Sequence, residues 1–229
     1  MWKKLAAVVL VAVSLITGGC AVNSQHSYDV PEAVVAWANS NVYQVLTNSG
    51  SGSGFFLTED TFITACHVVS WHEKANLVNQ MSTDVIEMDV VSCNEKTDVA
   101  VLKPAEFAGN DVAPDLLPSC LLFDPRDGTA VWGAGYPLGD TLMVTMGHIQ
   151  KYSKHNNDRR VITSATIMGD SGSPAIALIN GEPCVAGLRL AIRIAPMYSG
   201  FAVIPAPMTH MVQMGTMTSI MEEIHKNVD

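Results

Sequence analysis

Three short segments of this 229-residue chain carry side chains that could act together in covalent chemistry. In Thr64-Ala65-Cys66-His67-Val68-Val69 an imidazole stands at the end of an apolar run. In Thr97-Asp98-Val99-Ala100-Val101-Leu102 a carboxylate opens one. In Gly169-Asp170-Ser171-Gly172-Ser173-Pro174 a hydroxyl is flanked by glycines. The order is His, Asp, Ser, with steps of 31 and 73 residues. A serine hydroxyl is a weak nucleophile at neutral pH and needs an adjacent base. A histidine can take its proton and return it to a leaving group. A carboxylate behind the imidazole fixes the tautomer and stabilises the imidazolium without itself being protonated. Taken singly, each segment also has a structural reading: a strand-end His, an Asp that caps a turn, a glycine turn around a serine.

The elements that must position these groups read as strands. Residues 33–130 show short runs rich in Val, Ile, Phe and Thr between turn residues. Ala33–Ala38 and Val42–Thr47 are expected to pair across Asn39-Ser40-Asn41, and Phe55–Leu57 and Phe62–Ala65 across 58–61. Asn48–Gly54 reads as a flexible turn. Further strands are expected at Ala75–Asn79, Val85–Cys93, Val99–Leu102 and Thr129–Ala134. Beyond them come Thr141–Ile149, Arg160–Ile167, Pro174–Ile179, Pro183–Ile192 and Gly200–Ile204. So many short strands at close spacing predict an all-β chain of barrels or a sandwich. Only at the C-terminus does a helical period emerge. Met211, Met214, Met217, Met221 and Ile224 recur at steps of three and four, predicting one helix over about 207–226 with Met as pliable packing.

Together the three segments resemble those of trypsin-like serine proteases. The compact spacing narrows the resemblance to the bacterial HtrA-type protease domain. So do Ser53-Gly54-Phe55-Phe56-Leu57, Gly135-Tyr136-Pro137-Leu138-Gly139 and Gly200-Phe201-Ala202-Val203-Ile204-Pro205. It covers about residues 33–207. It implies two six-stranded antiparallel β-barrels of the chymotrypsin kind, the N-terminal one over about 32–120 and the C-terminal one over about 121–207, with His67, Asp98 and Ser171 as the triad in the cleft between them. The backbone N–H groups of Gly169 and Ser171 would form the oxyanion hole. The specificity pocket would have Ala165 at its floor and Leu190, Ala191, Ile192 and Gly200 along its walls, which suits small or medium aliphatic side chains. An extended polypeptide substrate would add as a strand along 188–192.

Two departures follow. Asp170 stands where HtrA proteases usually carry Asn, and matches digestive and bacterial trypsin-like enzymes. In digestive enzymes that Asp pairs with a newly cut N-terminus. Here a buried Asp170 needs another partner, and Arg189, Arg193, Arg159 and Arg160 are the candidates. The 58 residues after Ser171 are also too few to complete a barrel and add a PDZ domain. Rival readings are a protease-fold binding module without activity, and a latent protease that a partner or homo-oligomerisation orders. The presence of all three triad residues and of Gly169 favours the enzyme.

The N-terminus reads as an export signal. Lys3 and Lys4 precede the apolar run Leu5–Ile16, which is too short to span a bilayer. Thr17-Gly18-Gly19-Cys20 then resembles a bacterial lipobox, so Cys20 is the expected lipidated first residue after removal of 1–19, and residues 20–31 a tether. The acyl chains would hold the protein to a lipid bilayer of the cell envelope, outer membrane or periplasmic face in a Gram-negative host. Cleavage removes two lysines and no acid, taking the net charge from −9 to −11. With 13 Lys and Arg against 22 Asp and Glu, a broad nucleic-acid surface is not expected. Charged residues make up 15% and hydrophobic ones 48%, which excludes a mostly disordered chain. Of the remaining cysteines, Cys66, Cys93, Cys120 and Cys184, three pairings are open, as is the absence of any. No C-x-x-C or His/Cys spacing suits zinc, so neither a structural metal nor a cofactor is expected. Palmitate should be incorporated into the wild-type chain and not into Cys20→Ser, as read by metabolic labelling.

Overall fold

The chain enters its first barrel through a helix. In this computed structural model, which describes residues 29–105, 116–153, 156–164, 168–193, 197–199, 202–204 and 211–226, the expected strand Ala33–Ala38 lies inside α1 (Glu32–Asn41). Val34, Trp37, Ala38 and Asn41 are its buried residues, spaced i, i+3, i+4, i+7. The Pro31 carbonyl receives the Val34 and Val35 N–H groups, and Glu32 complements the positive end of the helix. The export signal 1–19, Cys20 and the tether up to 28 lie outside the described residues.

Six strands then close into an antiparallel barrel: β1 (Val42–Thr47), β2 (Gly50–Thr58), β3 (Thr61–Ala65), β4 (Lys74–Val78), β5 (Val85–Asn94) and β6 (Val99–Pro104), in the order β1-β2-β3-β6-β5-β4 with β4 returning to β1. Most of the expected turn Asn48–Gly54 belongs to β2, since Val45 to Thr47 pair with Gly52 to Gly50. Between β3 and β4 sits α2 (Cys66–Val69). Tyr43, Val45, Phe56, Phe62, Leu77, Met88 and Leu102 fill the interior. Phe56 meets Phe62 edge-on at 4.9 Å.

The second sheet comprises β7 (Cys120–Leu121), β8 (Ala130–Gly135), β9 (Met143–Ser153), β10 (Asn156–Ser164), β11 (Pro174–Ile179), β12 (Glu182–Arg193) and β15 (Met211–Thr216). A separate hairpin joins β13 (Met197–Ser199) to β14 (Ala202–Ile204). The order β11-β8-β9-β10-β15-β12 is closed by pairing of β11 with β12, a second six-stranded ring. β7 departs from the antiparallel expectation, pairing in parallel with β12 so that Cys120 faces Cys184. Those two cysteines are bonded, as are Cys66 and Cys93. By loop entropy, spans of 27 and 64 residues are each worth about 3–4 kcal/mol.

The C-terminal helix is shorter than its methionine spacing predicts. Met211–Thr216 is strand β15, hydrogen-bonded to β10 on one side and β12 on the other. The second barrel therefore runs on to 216. Helix α3 (Met217–His225) begins where Thr216 caps it, its hydroxyl accepting from Ser219 N. The expected helical residues 207–210 lie outside the described ones. Met217 and Ile220 of α3 join Trp37, Phe55, Ile63, Val101, Ile176 and Leu188 in a core shared by both barrels. Among the described residues no helix is long and apolar enough to cross a membrane. Thr216→Ala should lower stability by about 1 kcal/mol in urea unfolding, the cost of a lost N-cap; a helix running from 207 would make the substitution nearly silent.

Candidate active site

His67 sits on the single turn of α2, directly after β3. Its neighbour Cys66 is bonded to Cys93 of β5, and the Cys66 N–H donates to Asp98 O at 3.1 Å. Asp98, in the turn immediately before β6, lies in the left-handed region, φ 61°, a conformation that Asp tolerates better than most residues. There its carboxylate meets His67 twice. Oδ1 accepts the His67 backbone N–H at 3.0 Å, and Nδ1 lies 3.0 Å from Oδ1 and 2.9 Å from Oδ2. An ionised carboxylate only accepts, so Nδ1 carries the hydrogen and Nε2 of the neutral ring is the acceptor. The His67 side chain is 48% exposed and Asp98 15%, so the imidazole is reachable while its partner is sheltered.

Ser171 arrives from the second barrel on the loop 168–173. Gly169 and Gly172 have φ of 99° and 88°. A Cβ on Gly172 would lie 2.1 Å from Ser53 O and 2.4 Å from Thr64 Oγ1, so the loop is pressed against β2 and β3 of the first barrel. Ser53, wholly buried, holds it there. Its N–H donates to Ser171 O, its hydroxyl donates to Gly169 O, and the same hydroxyl accepts from Tyr136 N, each at 2.8 Å. Met168 O accepts from Leu138 N at 2.6 Å. A trans peptide sets C=O and N–H antiparallel, so the Gly169 N–H points away from Leu138. Neither it nor the Ser171 N–H donates to any described residue. The Ser171 hydroxyl donates to Leu190 O at 3.2 Å and makes no hydrogen bond with His67.

Asp170 is 5% exposed, and the structure chooses its partner. Arg189, 1% exposed, brings Nη2 to 3.6 Å from Asp170 Oδ2. Its guanidinium lies against Gly133 of β8, where a Cβ would be 2.1 Å from Nη1. Burial pulls the Arg189 pKa down from its ordinary value, and the charge of Asp170 opposes that. The backbone of Arg189 ties the same loop, with Gly172 N donating to Arg189 O at 2.7 Å and Arg189 N to Ser173 O at 2.8 Å. Next to it, the register of β12 against β15 slips between Arg189 and Ala191, leaving Leu190 as a bulge. The Leu190 side chain is buried in the shared core, and its carbonyl is what faces Ser171. Ala191 and Ile192 continue β12, paired with Gln213 and Val212. Ala165 and Gly200 lie outside the described residues.

His67, Asp98, Ser171 and Gly169 were legible as a sequence constellation. Ser53 entered it only as part of a motif, and its role as a bridge between barrels had no local signal. With the geometry in view, comparison with known proteins places the chain. The trypsin-like peptidase domain matches residues 52–187, which hold all three triad candidates. The chain belongs to this family of serine peptidases. HhoB of Synechocystis sp., named for a serine protease, is 33% identical over 166 residues, which is 67% of this chain and 37% of that protein. The chain thus spans little more than a third of the length of that relative. Among solved structures, the serine endoprotease from Yersinia pestis superposes with a TM-score of 0.68 at 19% identity, covering 87% of this chain and 67% of the other. The inactive form of the Rv3671c protease of M. tuberculosis gives 0.66 at 22%, covering 87% and 94%. At these identities the likeness is one of fold.

Truncating one partner of a buried ion pair strands the other. Arg189→Met should cost about 3–5 kcal/mol in urea unfolding. Adding Asp170→Asn should recover most of that loss, because no uncompensated charge remains.

Proposed function

We propose that the chain is a serine endopeptidase in which Ser171 is the nucleophile, His67 the general base and acid, and Asp98 the group that orients the imidazole. The observation that carries this reading is the double contact of Asp98 with the backbone and Nδ1 of His67, which presents Nε2 as an acceptor. The Ser171 hydroxyl would leave Leu190 O by rotation about χ1, one staggered well to another. His67 Nε2 takes the hydroxyl proton as Oγ bonds to the substrate carbonyl carbon. The Gly169 and Ser171 N–H groups receive the developing oxyanion. The carbon–nitrogen bond then breaks, His67 returns the proton to the leaving amine, and water opens the acyl-enzyme by the same route.

An extended segment of polypeptide is the substrate that suits this cleft. β11 ends at Pro174 opposite Leu188, while β12 runs on to Arg193. A peptide adding along β12 would gain main-chain hydrogen bonds with little sequence demand. The small Ala165, six residues before Ser171, supports a preference for aliphatic side chains. The lipobox-like Cys20 supports a site of action at a membrane of the bacterial envelope. There exposed or unfolded exported proteins are the substrate class. The latent-protease reading draws on one observation, the Ser171 hydroxyl resting on Leu190 O.

A fluorophosphonate probe applied to the full chain in detergent should label the wild type and not Ser171→Ala. Equal labelling of both would exclude Ser171 as nucleophile, and an unlabelled wild type would favour the latent state.

A further inference from the structure

The apolar face of α3 carries one buried carboxylate. Met217 and Ile220 of this helix pack in the shared core, and Glu223, one turn on, is only 5% exposed. A buried carboxylate is costly unless hydrogen-bonded, and packing alone would be served by an apolar side chain. Two of its partners are on the first barrel, some 130 residues away in sequence. Ser92 Oγ donates to Oε1, and Asn94 Nδ2 donates to Oε2 at 2.8 Å. Lys226 Nζ, on the exposed side, stands 3.8 Å from Oε2. Ser92 and Asn94 are two apart on β5 and share a face, while Cys93 between them turns the other way to its disulfide with Cys66.

Asn94 relays this contact to the carboxylate of the proposed triad. Its Oδ1 accepts the N–H groups of Lys96 and Thr97, at 3.0 and 3.3 Å. Its backbone carbonyl accepts Asp98 N at 2.7 Å. Those bonds close the turn that delivers Asp98 at a φ of 61°, where its carboxylate receives His67. A carboxylate can only accept, so Glu223 determines which end of the Asn94 amide faces it. Nδ2 must point to Glu223, and Oδ1 must then point into the turn.

We propose that Glu223 is a positioning residue for the triad, holding Asn94 in the amide orientation that keeps Asp98 against His67. The inference rests on the triad reading above and adds a group from the C-terminal helix to it. The second barrel, which supplies Ser171, thereby also governs the Asp98 carboxylate of the first.

The test exploits hydrogen-bond polarity. In Asn94→Asp a second carboxylate faces Glu223, acceptor against acceptor, and residue 94 is pushed from the place that closes the turn before Asp98. In the double variant Glu223→Gln/Asn94→Asp the polarity is restored, because the new carboxylate accepts from both sides. On a peptide substrate, with full chain in detergent, Asn94→Asp should lower kcat by about 10–100-fold, the scale of a displaced catalytic group, with KM within about twofold. The low-field proton NMR signal of the His67 Nδ1–H bond to Asp98 should weaken, and the double variant should restore both kcat and signal. Unchanged kcat and signal in Asn94→Asp would overturn the proposal. A folded double variant no better than the single would also overturn it. A wild type that cleaves nothing would count against the peptidase reading, and the NMR signal would still decide the role of Glu223.

Discussion

A buried carboxylate must be compensated, and beside Ser171 it is Arg189 that brings a positive charge to Asp170. Asp170 precedes Ser171 in a loop that carries both candidate oxyanion donors. Its charge is met by Arg189, which is itself buried and depends on the absence of a side chain at Gly133. The pair has little solvent to screen it, so each ion stabilises the other strongly and neither is dispensable alone. Because Arg189 belongs to β12 and its backbone also binds Gly172 and Ser173, side chain and main chain position the loop together. The compensating charge comes from inside the folded domain and needs no free N-terminus.

The second requirement is that two barrels agree. His67 and Asp98 come from the first, Ser171 from the second. The surfaces between them are joined by a shared apolar core from Trp37 and Phe55 to Leu188 and Ile220. Apolar burial is non-directional and sets the approach without setting register. Direction comes from hydrogen bonds. Ser53 reaches from the first barrel to the loop of the second, and Glu223 reaches from the end of the second back to the turn before Asp98. One bridge ends at the loop that carries Ser171 and the other at the turn that carries Asp98.

Most of the first barrel could be read from short runs. Phe55–Leu57, Phe62–Ala65 and Val99–Leu102 alternate or cluster as strands do, and turn residues bound them. Ala33–Ala38 and Met211–Thr216 depart from their local patterns for opposite reasons. Ala33–Ala38 is rich in Val and Ala and looks like a strand, yet the period that places Val34, Trp37 and Ala38 on one face makes it helical once the core is there to cover that face. Met211 and Met214 keep helical spacing, yet β10 and β12 leave a gap that only a strand can fill with hydrogen bonds on both edges. Local preference is a fraction of a kcal/mol per residue, and such partners override it.

What the sequence determined by itself was the chemistry available and its order along the chain: an imidazole after one strand, a carboxylate before another, a hydroxyl in a glycine loop. These are properties of contiguous residues. Which arginine answers Asp170 among four, which cysteines join among three pairings, and which oxygen holds the Ser171 hydroxyl were decided only in three dimensions. Each depends on closing a long loop and on the space left by a residue far away, such as Gly133 beside Arg189 or the bulge at Leu190. No local pattern encodes that space, because it exists only after both barrels have closed.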